Sequence, residues 1–102
     1  MYVVRCANGA LYTGITTDVA RRVRQHNAGR GARYTRIHRP VVPVAAWRFD
    51  ATDDDKAHSR ALRAEAQFKK LPRARKLAEV AGAGDWAGGV RVTDRTEHDS
   101  AP

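Results

Sequence analysis

The chain of 102 residues contains a single cysteine, Cys6, which excludes an intramolecular disulfide and a zinc site built from several cysteines. It has no apolar run long enough to cross a bilayer, and no secretory signal follows Met1. We therefore expect a cytoplasmic protein that does not associate with membranes. The length gives room for one hydrophobic core, which argues against a second folded domain.

Acidic residues are scarce, because 11 Asp and Glu stand against 19 Lys and Arg, and the formal net charge is +8. The imbalance is concentrated: residues 21–39 contain seven arginines and no acid. A compact domain with clustered positive charge attracts polyanions, of which nucleic acid is the commonest. The alternative is a solvated basic surface that binds nothing.

Runs of β-forming residues predict strands, and apolar residues at helical spacing predict helices. The predicted strands are 2–6, 10–16 and 41–49, and the predicted helices are 18–27, 53–71 and 73–80. Asn8-Gly9 is the expected turn of a hairpin, and Thr16-Thr17-Asp18 offers an N-cap for the first helix, with Asp18 favourable at the positive end of its dipole. We therefore predict an α/β domain with a three-stranded, mostly antiparallel sheet flanked by helices, in the order β-β-α-β-α-α.

This predicted domain covers residues 1–81. Residues 82–102 are polar and rich in glycine, and they lack sustained periodicity. They predict a flexible or disordered C-terminal tail, in which Trp86 and residues 90–92 can dock locally.

Two pairs of polar residues are candidates for chemistry. Tyr2 and Tyr12 lie on the two arms of the predicted hairpin, although tyrosines in strands often only pack. Arg22 and His26 are four residues apart and therefore share one face of the first helix, which is equally consistent with a solvated stripe.

Glu65 lies on or beside the apolar stripe of the second long helix, formed by Ala61 and Phe68. A carboxylate in such a position needs a cation, because removing an unpaired charge from water is costly. The spacing alone leaves a structural salt bridge and a metal site equally open.

The basic segment 29–39 combines arginines with Tyr34. Arginine binds phosphate through two parallel hydrogen bonds, and tyrosine can stack on a base. Together with basic residues on the helices, this segment predicts a nucleic-acid surface. The predicted binding residues are Arg21, Arg30, Arg33, Tyr34, Arg36, Lys69 and Lys70.

Taken in order, these residues resemble the motifs of the GIY-YIG nuclease superfamily. Tyr2 stands where the first motif ends, Tyr12-Thr13-Gly14 resembles the second motif, and Arg22, His26 and Glu65 follow at suitable spacing. More narrowly, the stretches 11–18, 31–36 and 65–71 resemble a family of small stand-alone bacterial proteins that consist of little more than this domain.

The resemblance implies a phosphodiesterase site. Glu65 would hold one Mg²⁺ or Mn²⁺ ion, and Arg22 would bind the scissile phosphate. Tyr12 would take a proton from the attacking water, and Tyr2 would position the water or Tyr12. His26 would relay a proton or contact phosphate.

The expected function is a metal-dependent endonuclease with low sequence specificity, acting on DNA rather than RNA. The chief alternative is an inactive or weakly active module that only binds nucleic acid. Two features of the superfamily are absent here, since no Gly-Ile precedes Tyr2 and the last asparagine of the chain is Asn27.

Overall fold

The computed structural model describes residues 1–50 and 56–92. Within these residues it contains β1 (Tyr2–Arg5), β2 (Leu11–Gly14), α1 (Val19–Asn27), α2 (Arg33–Ile37), β3 (Val42–Arg48), α3 (Ala57–Lys69), α4 (Arg73–Ala81) and β4 (Val90–Arg91). The α/β class is confirmed, and the six predicted elements occur in the predicted order. The short helix α2 and the strand β4 are additional. None of the described helices is long and apolar enough to span a membrane.

The sheet has four antiparallel strands in the order β2-β1-β3-β4, so the prediction of three strands was wrong by one. The fourth strand pairs only Val90 and Arg91 with the end of β3. A strand of two residues is too short to show alternation, and a glycine-rich stretch precedes it, so the sequence pattern could not reveal it.

Turn chemistry fixes the pairing of β1. Gly9 has a φ of 88°, and the turn is closed by hydrogen bonds from Gly9 N to Cys6 O and from Cys6 N to Ala10 O, both 2.8 Å long.

On its other edge, β1 pairs with β3 through an irregularity between Val3 and Val4, where Pro43 lies opposite Val4. Proline lacks an N–H group and is tolerated in a strand at such an irregularity.

Both faces of β1 are buried. Tyr2, Val4 and Cys6 form one cluster together with Val41, and partly buried residues of α1 pack on it. Residues of the opposite face form a second cluster with side chains of α3: Met1, Val3, Ala45, Trp47, Ala64 and Phe68. A strand covered on both sides must be apolar at successive positions, which explains the unbroken run at the start of the sequence.

Helix α1 is bounded at both ends by local hydrogen bonds. The side chain of Asp18 caps it by accepting from Arg21 N at 3.1 Å, as predicted. At its end, Gly29 adopts a φ of 82°, and Arg30 N donates to Gln25 O at 2.9 Å. This glycine-terminated motif turns the chain back towards α1, and α2 follows directly.

Residues 82–92 pack on the domain. The Trp86 ring meets Phe68 edge-on with centroids 5.6 Å apart, and its Nε1 donates to Ala64 O at 3.2 Å. Arg91 donates to three carbonyl oxygens at the end of α4: those of Glu79 at 3.0 Å, Val80 at 2.9 Å and Gly82 at 2.6 Å. The local docking expected of this segment is therefore present. The rest of the predicted tail (93–102) and the first residues (53–55) of the predicted helix 53–71 lie outside the described residues.

Candidate active site

The hairpin brings Tyr2 and Tyr12 to the same face of the sheet. Val4 lies opposite Tyr12 and Tyr2 lies opposite Gly14, so the two tyrosines are diagonal neighbours. Gly14 has a steric reason to be glycine, because a Cβ atom there would lie 2.6 Å from Tyr2 Oη. Tyr2 is 1% exposed, whereas Tyr12 is only partly buried. Tyr12 is therefore the tyrosine that solvent can reach.

Helix α1 presents Arg22 and His26 to the same place. His26 is fully buried, and its Nε2 lies 2.8 Å from Tyr2 Oη. Its ring also meets Tyr12 edge-on, with centroids 5.5 Å apart. The partly buried Arg22 donates through Nη1 to Gln25 Oε1 at 3.1 Å, and its positive charge acts on Tyr2.

Burial and charge set the protonation of this cluster. Burial raises the pKa of Tyr2 above its ordinary value of 10.0, and the neighbouring Arg22 guanidinium partly opposes that rise. Burial, followed by the positive charge of Arg22, lowers the pKa of His26 below its ordinary value of 6.5. At neutral pH, Tyr2 therefore keeps its proton and His26 is neutral.

His26 has a second partner that the sequence does not single out. Its Nδ1 lies 2.7 Å from Oγ1 of Thr35, a fully buried residue of α2. Thr35 Oγ1 in turn donates to the Ala32 carbonyl at 2.8 Å. Periodicity could not have revealed this contact, since α2 lies within a segment that reads as a loop. Of the roles that the resemblance implies for His26, direct contact with phosphate does not fit a side chain with no exposed surface.

Glu65 approaches from the other face of the sheet. Helix α3 packs beneath Val3, yet the negative charge of Glu65 acts on both the Tyr2 hydroxyl and the Met1 amino group. Its carboxylate therefore lies close to Met1 and Tyr2, beside the end of the sheet where β1 starts. The Glu65 side chain is 17% exposed, and its Oε2 forms a salt bridge with Lys69 Nζ at 3.1 Å.

The donor set around Glu65 fits a metal ion held by one carboxylate. Among residues 1–50 and 56–92, no group of three or more His, Cys, Asp or Glu side chains could hold an ion. Mg²⁺ commonly takes one or two carboxylates and fills its other positions with water and phosphate oxygens. Lys69 competes for the same carboxylate, since its ammonium already pairs with one oxygen.

The predicted nucleic-acid residues are all exposed at the surface, but not all have free side chains. Tyr34 is 41% exposed, its hydroxyl accepts from Asn8 Nδ2 at 2.9 Å, and its ring packs against His38. Lys69 pairs with Glu65. The other residues of the predicted set are exposed arginines and one lysine on α1, α2, the connecting loop and the end of α3: Arg21, Arg30, Arg33, Arg36 and Lys70.

Comparison with known proteins adds a family to this geometry. Residues 1–78 match the model of the GIY-YIG catalytic domain. A UPF0213 protein of Streptococcus agalactiae is 45% identical over 80 residues, which cover 78% of this chain and 84% of the relative. A UPF0213 protein of Halobacterium salinarum is 47% identical over 78 residues, which cover 76% and 94%.

A further relative matches the entire chain. This UPF0213 protein of Xanthomonas axonopodis is 42% identical over 102 residues, which cover 100% of this chain and 84% of the relative. The names of these relatives specify no substrate or activity. No solved structure matches the chain significantly.

Proposed function

Because the chain belongs to the GIY-YIG catalytic domain family, we propose that it is a metal-dependent endonuclease that hydrolyses phosphodiester bonds of nucleic acid. The observation that carries this proposal is that Tyr12, Arg22 and Glu65 all lie close enough to the buried Tyr2 to act on it electrostatically, while Tyr12 also contacts the ring of His26. A cation for the phosphate, a partly exposed hydroxyl and a carboxylate for a metal ion thus lie around one buried tyrosine. These are the groups that hydrolysis of a phosphodiester needs.

Each side chain has a role that follows from its surroundings. Arg22 binds the scissile phosphate through its planar guanidinium, which strengthens its hold as negative charge develops. Tyr12, which solvent can reach, first releases its own proton to solvent and then, as the phenolate, accepts the proton of the attacking water. Tyr2 keeps its own proton, and its oxygen lies within the electrostatic influence of Arg22. His26 holds the Tyr2 hydroxyl.

Glu65 would hold the divalent ion, Mg²⁺ or Mn²⁺, with one carboxylate. The bound ion supplies charge stabilisation at the scissile phosphate and the leaving oxygen. Lys69 would have to give up Oε2 to such an ion, and its exposed ammonium group would then be available to a backbone phosphate.

The basic surface supports an extended polyanionic substrate with little sequence preference. Exposed arginines of α1 and α2 would contact phosphates, and phosphate contacts carry no direct sequence information. Tyr34 is the one aromatic residue of the predicted surface, and a base could stack on its exposed part. We propose DNA as the substrate in preference to RNA.

The test is cleavage of end-labelled single-stranded, double-stranded and branched DNA, and of RNA, in Mg²⁺, Mn²⁺ or EDTA. Glu65→Gln keeps the shape of the side chain and removes its charge, and Tyr12→Phe removes one hydroxyl. Glu79→Gln is the matched control, since it makes the same change on α4. We expect cleavage only with metal, lost in Glu65→Gln and Tyr12→Phe and retained in Glu79→Gln.

Three other outcomes would count against this proposal. Tight binding in EDTA without cleavage under any condition would make the chain a nucleic-acid-binding module. Cleavage that survives in Glu65→Gln would exclude the assigned metal ligand, and cleavage equally strong in EDTA would exclude metal dependence.

A further inference from the structure

Thr35 is a buried polar residue to which the proposed mechanism has given no role. It is 0% exposed, and its hydroxyl lies between the imidazole of His26 and the backbone carbonyl of Ala32. A threonine in a helix often bonds to a carbonyl three or four residues before it, so the Ala32 contact is ordinary by itself. The contact with His26 is not explained by helix geometry.

The hydrogen-bonding capacity of each group fixes the direction of this chain of contacts. The carbonyl of Ala32 can only accept, so the single hydroxyl proton of Thr35 is donated to it. Thr35 Oγ1 must then accept from His26, which requires a proton on Nδ1. In a neutral imidazole this leaves Nε2 as an acceptor, and the Tyr2 hydroxyl donates to it.

The charge at the Tyr2 end of these contacts is compatible with the same direction. Arg22 has only donors and its positive charge acts on Tyr2, which favours a lone pair of Oη facing the guanidinium. The Tyr2 proton is then free to go to His26 Nε2. The contacts from Tyr2 through His26 and Thr35 to Ala32 are therefore satisfied by one arrangement of protons, in which every group donates towards α2.

We propose that Thr35 is the positioning residue of the site, because its hydroxyl selects the Nδ1–H tautomer of His26 and thereby directs the Tyr2 hydroxyl. In the opposite tautomer, Nε2 would donate to Tyr2 Oη, and the Tyr2 proton would have to point elsewhere. The electrostatic attraction between Tyr2 Oη and the nearby Arg22 guanidinium would then weaken.

The packing around His26 keeps the imidazole in the orientation that Thr35 requires. A Cβ atom on Gly31 would lie only 2.1 Å from Nδ1, so the backbone of the segment leading into α2 runs directly against the ring. His26 is therefore enclosed by Tyr2 on one side and by Gly31 and Thr35 on the other. Helix α2 also carries Arg33 and Arg36 of the proposed nucleic-acid surface. The Thr35 hydroxyl therefore connects the helix that bears these arginines to His26 in the site.

The tautomer can be read directly by ¹⁵N NMR of the imidazole nitrogens, and His26→Gln identifies the signals of His26. We expect the wild-type protein to show a protonated Nδ1 and an unprotonated Nε2. Thr35→Val has nearly the same shape without the hydroxyl and should lose this tautomer, whereas Thr35→Ser should retain it. The exposed Thr17, changed to valine, is the matched control.

The effect on cleavage rests on the proposed function and is measured separately. Thr35→Val should lower the cleavage rate roughly 10- to 100-fold, the range expected when a reacting group is misplaced, and Thr35→Ser should restore most of it. A wild-type His26 protonated on Nε2 would overturn the inference, and so would a Thr35→Val protein that keeps the Nδ1–H tautomer. That wild-type measurement decides the matter even if Thr35→Val fails to fold.

The two proposals fail in distinguishable ways. If the wild-type protein cleaves nothing while its tautomer is as expected, the proposed function falls and the tautomer assignment stands. If cleavage is unchanged in a Thr35→Val protein that has lost the tautomer, Thr35 does not position the site.

Discussion

Replacing Gly31 with alanine would test how tightly His26 is held. A Cβ atom at this position would lie 2.1 Å from Nδ1 of His26, 2.8 Å from Cε1 and 2.9 Å from Cγ. Non-bonded heavy atoms prefer separations of about 3.5–4.0 Å. The ring or the backbone would therefore have to withdraw by more than about 1 Å to remove the overlap.

The ring cannot withdraw without weakening the two hydrogen bonds of its nitrogen atoms. Nε2 is bonded to Tyr2 at 2.8 Å and Nδ1 to Thr35 at 2.7 Å, and both partners are buried. Each hydrogen bond contributes about 0.5–1.5 kcal/mol, and forcing extra atoms into a packed interior costs about 1–3 kcal/mol. These contributions overlap, so Gly31→Ala should lower the free energy of unfolding by about 2–4 kcal/mol.

Urea unfolding followed by tryptophan fluorescence measures this loss. For a small domain, a change of that size moves the midpoint by about 1–2 M. Gly84→Ala is the control, because a Cβ there meets nothing within 4 Å and the backbone is not left-handed. The control should be unchanged or more stable by up to about 1 kcal/mol.

A double-mutant cycle identifies the clashing group. In a His26→Ala background, the cost of Gly31→Ala should nearly disappear, because the ring it meets has gone. Equal midpoints for the wild-type and Gly31→Ala proteins would refute the close packing, and a full cost in the His26→Ala background would show that the clash is elsewhere.

Three further results are expected. Folding lowers the pKa of His26, so the unfolded chain binds a proton before the folded chain as the pH falls below 6.5. The free energy of unfolding should therefore decrease in that range. Urea titrations at several pH values should show this decrease for the wild-type protein and not for His26→Gln. Arg91→Met should cost about 2–3 kcal/mol in the same assay, because three carbonyls at the end of α4 lose their donor, whereas the exposed Arg75→Met should cost little. Removing Arg33 and Arg36 together should reduce the slope of log K against log salt for duplex DNA by about 2.

Each of these results has a contrary outcome. Equal pH slopes for the wild-type and His26→Gln proteins would show that this imidazole titrates normally when folded. An Arg91→Met protein as stable as the wild type would mean that water replaces the cap without loss. An unchanged salt slope would remove α2 from the nucleic-acid surface.

Much of the fold could be predicted because the local conformational preferences of the residues favour the same turns, strands and helices that tertiary packing stabilises. The turn at Gly9 and the cap at Asp18 act on immediate neighbours, so short patterns reveal them. Helix α2 and strand β4 could not be predicted, since five and two residues are too few to establish a helical or strand periodicity. Tertiary packing stabilises them, through Thr35 in α2 and Arg91 in β4.

The candidate site, too, could be predicted only in part from the sequence. The four-residue step from Arg22 to His26 placed both on one helix face, and the structure brings both to Tyr2. Sequence spacing could not show that Glu65 reaches the site from the opposite face of the sheet. Nor could it show that His26 is enclosed, because its enclosure depends on Gly31 and Thr35 from a segment without periodicity.

The strand order has a consequence for how the protein folds during synthesis. The central strand β1 is made first, and its partner β3 and its covering helix α3 are made last among its main contacts. Until residues 42–48 leave the ribosome, one edge of β1 has no strand beside it, and until Phe68 emerges, the Val3 face lacks its cover. Unpaired apolar edges of this kind promote aggregation. The nascent β1–β2 hairpin is therefore open to aggregation until β3 and α3 have been made, and a chain that terminates before α3 would lack the part of the core that Ala64 and Phe68 supply.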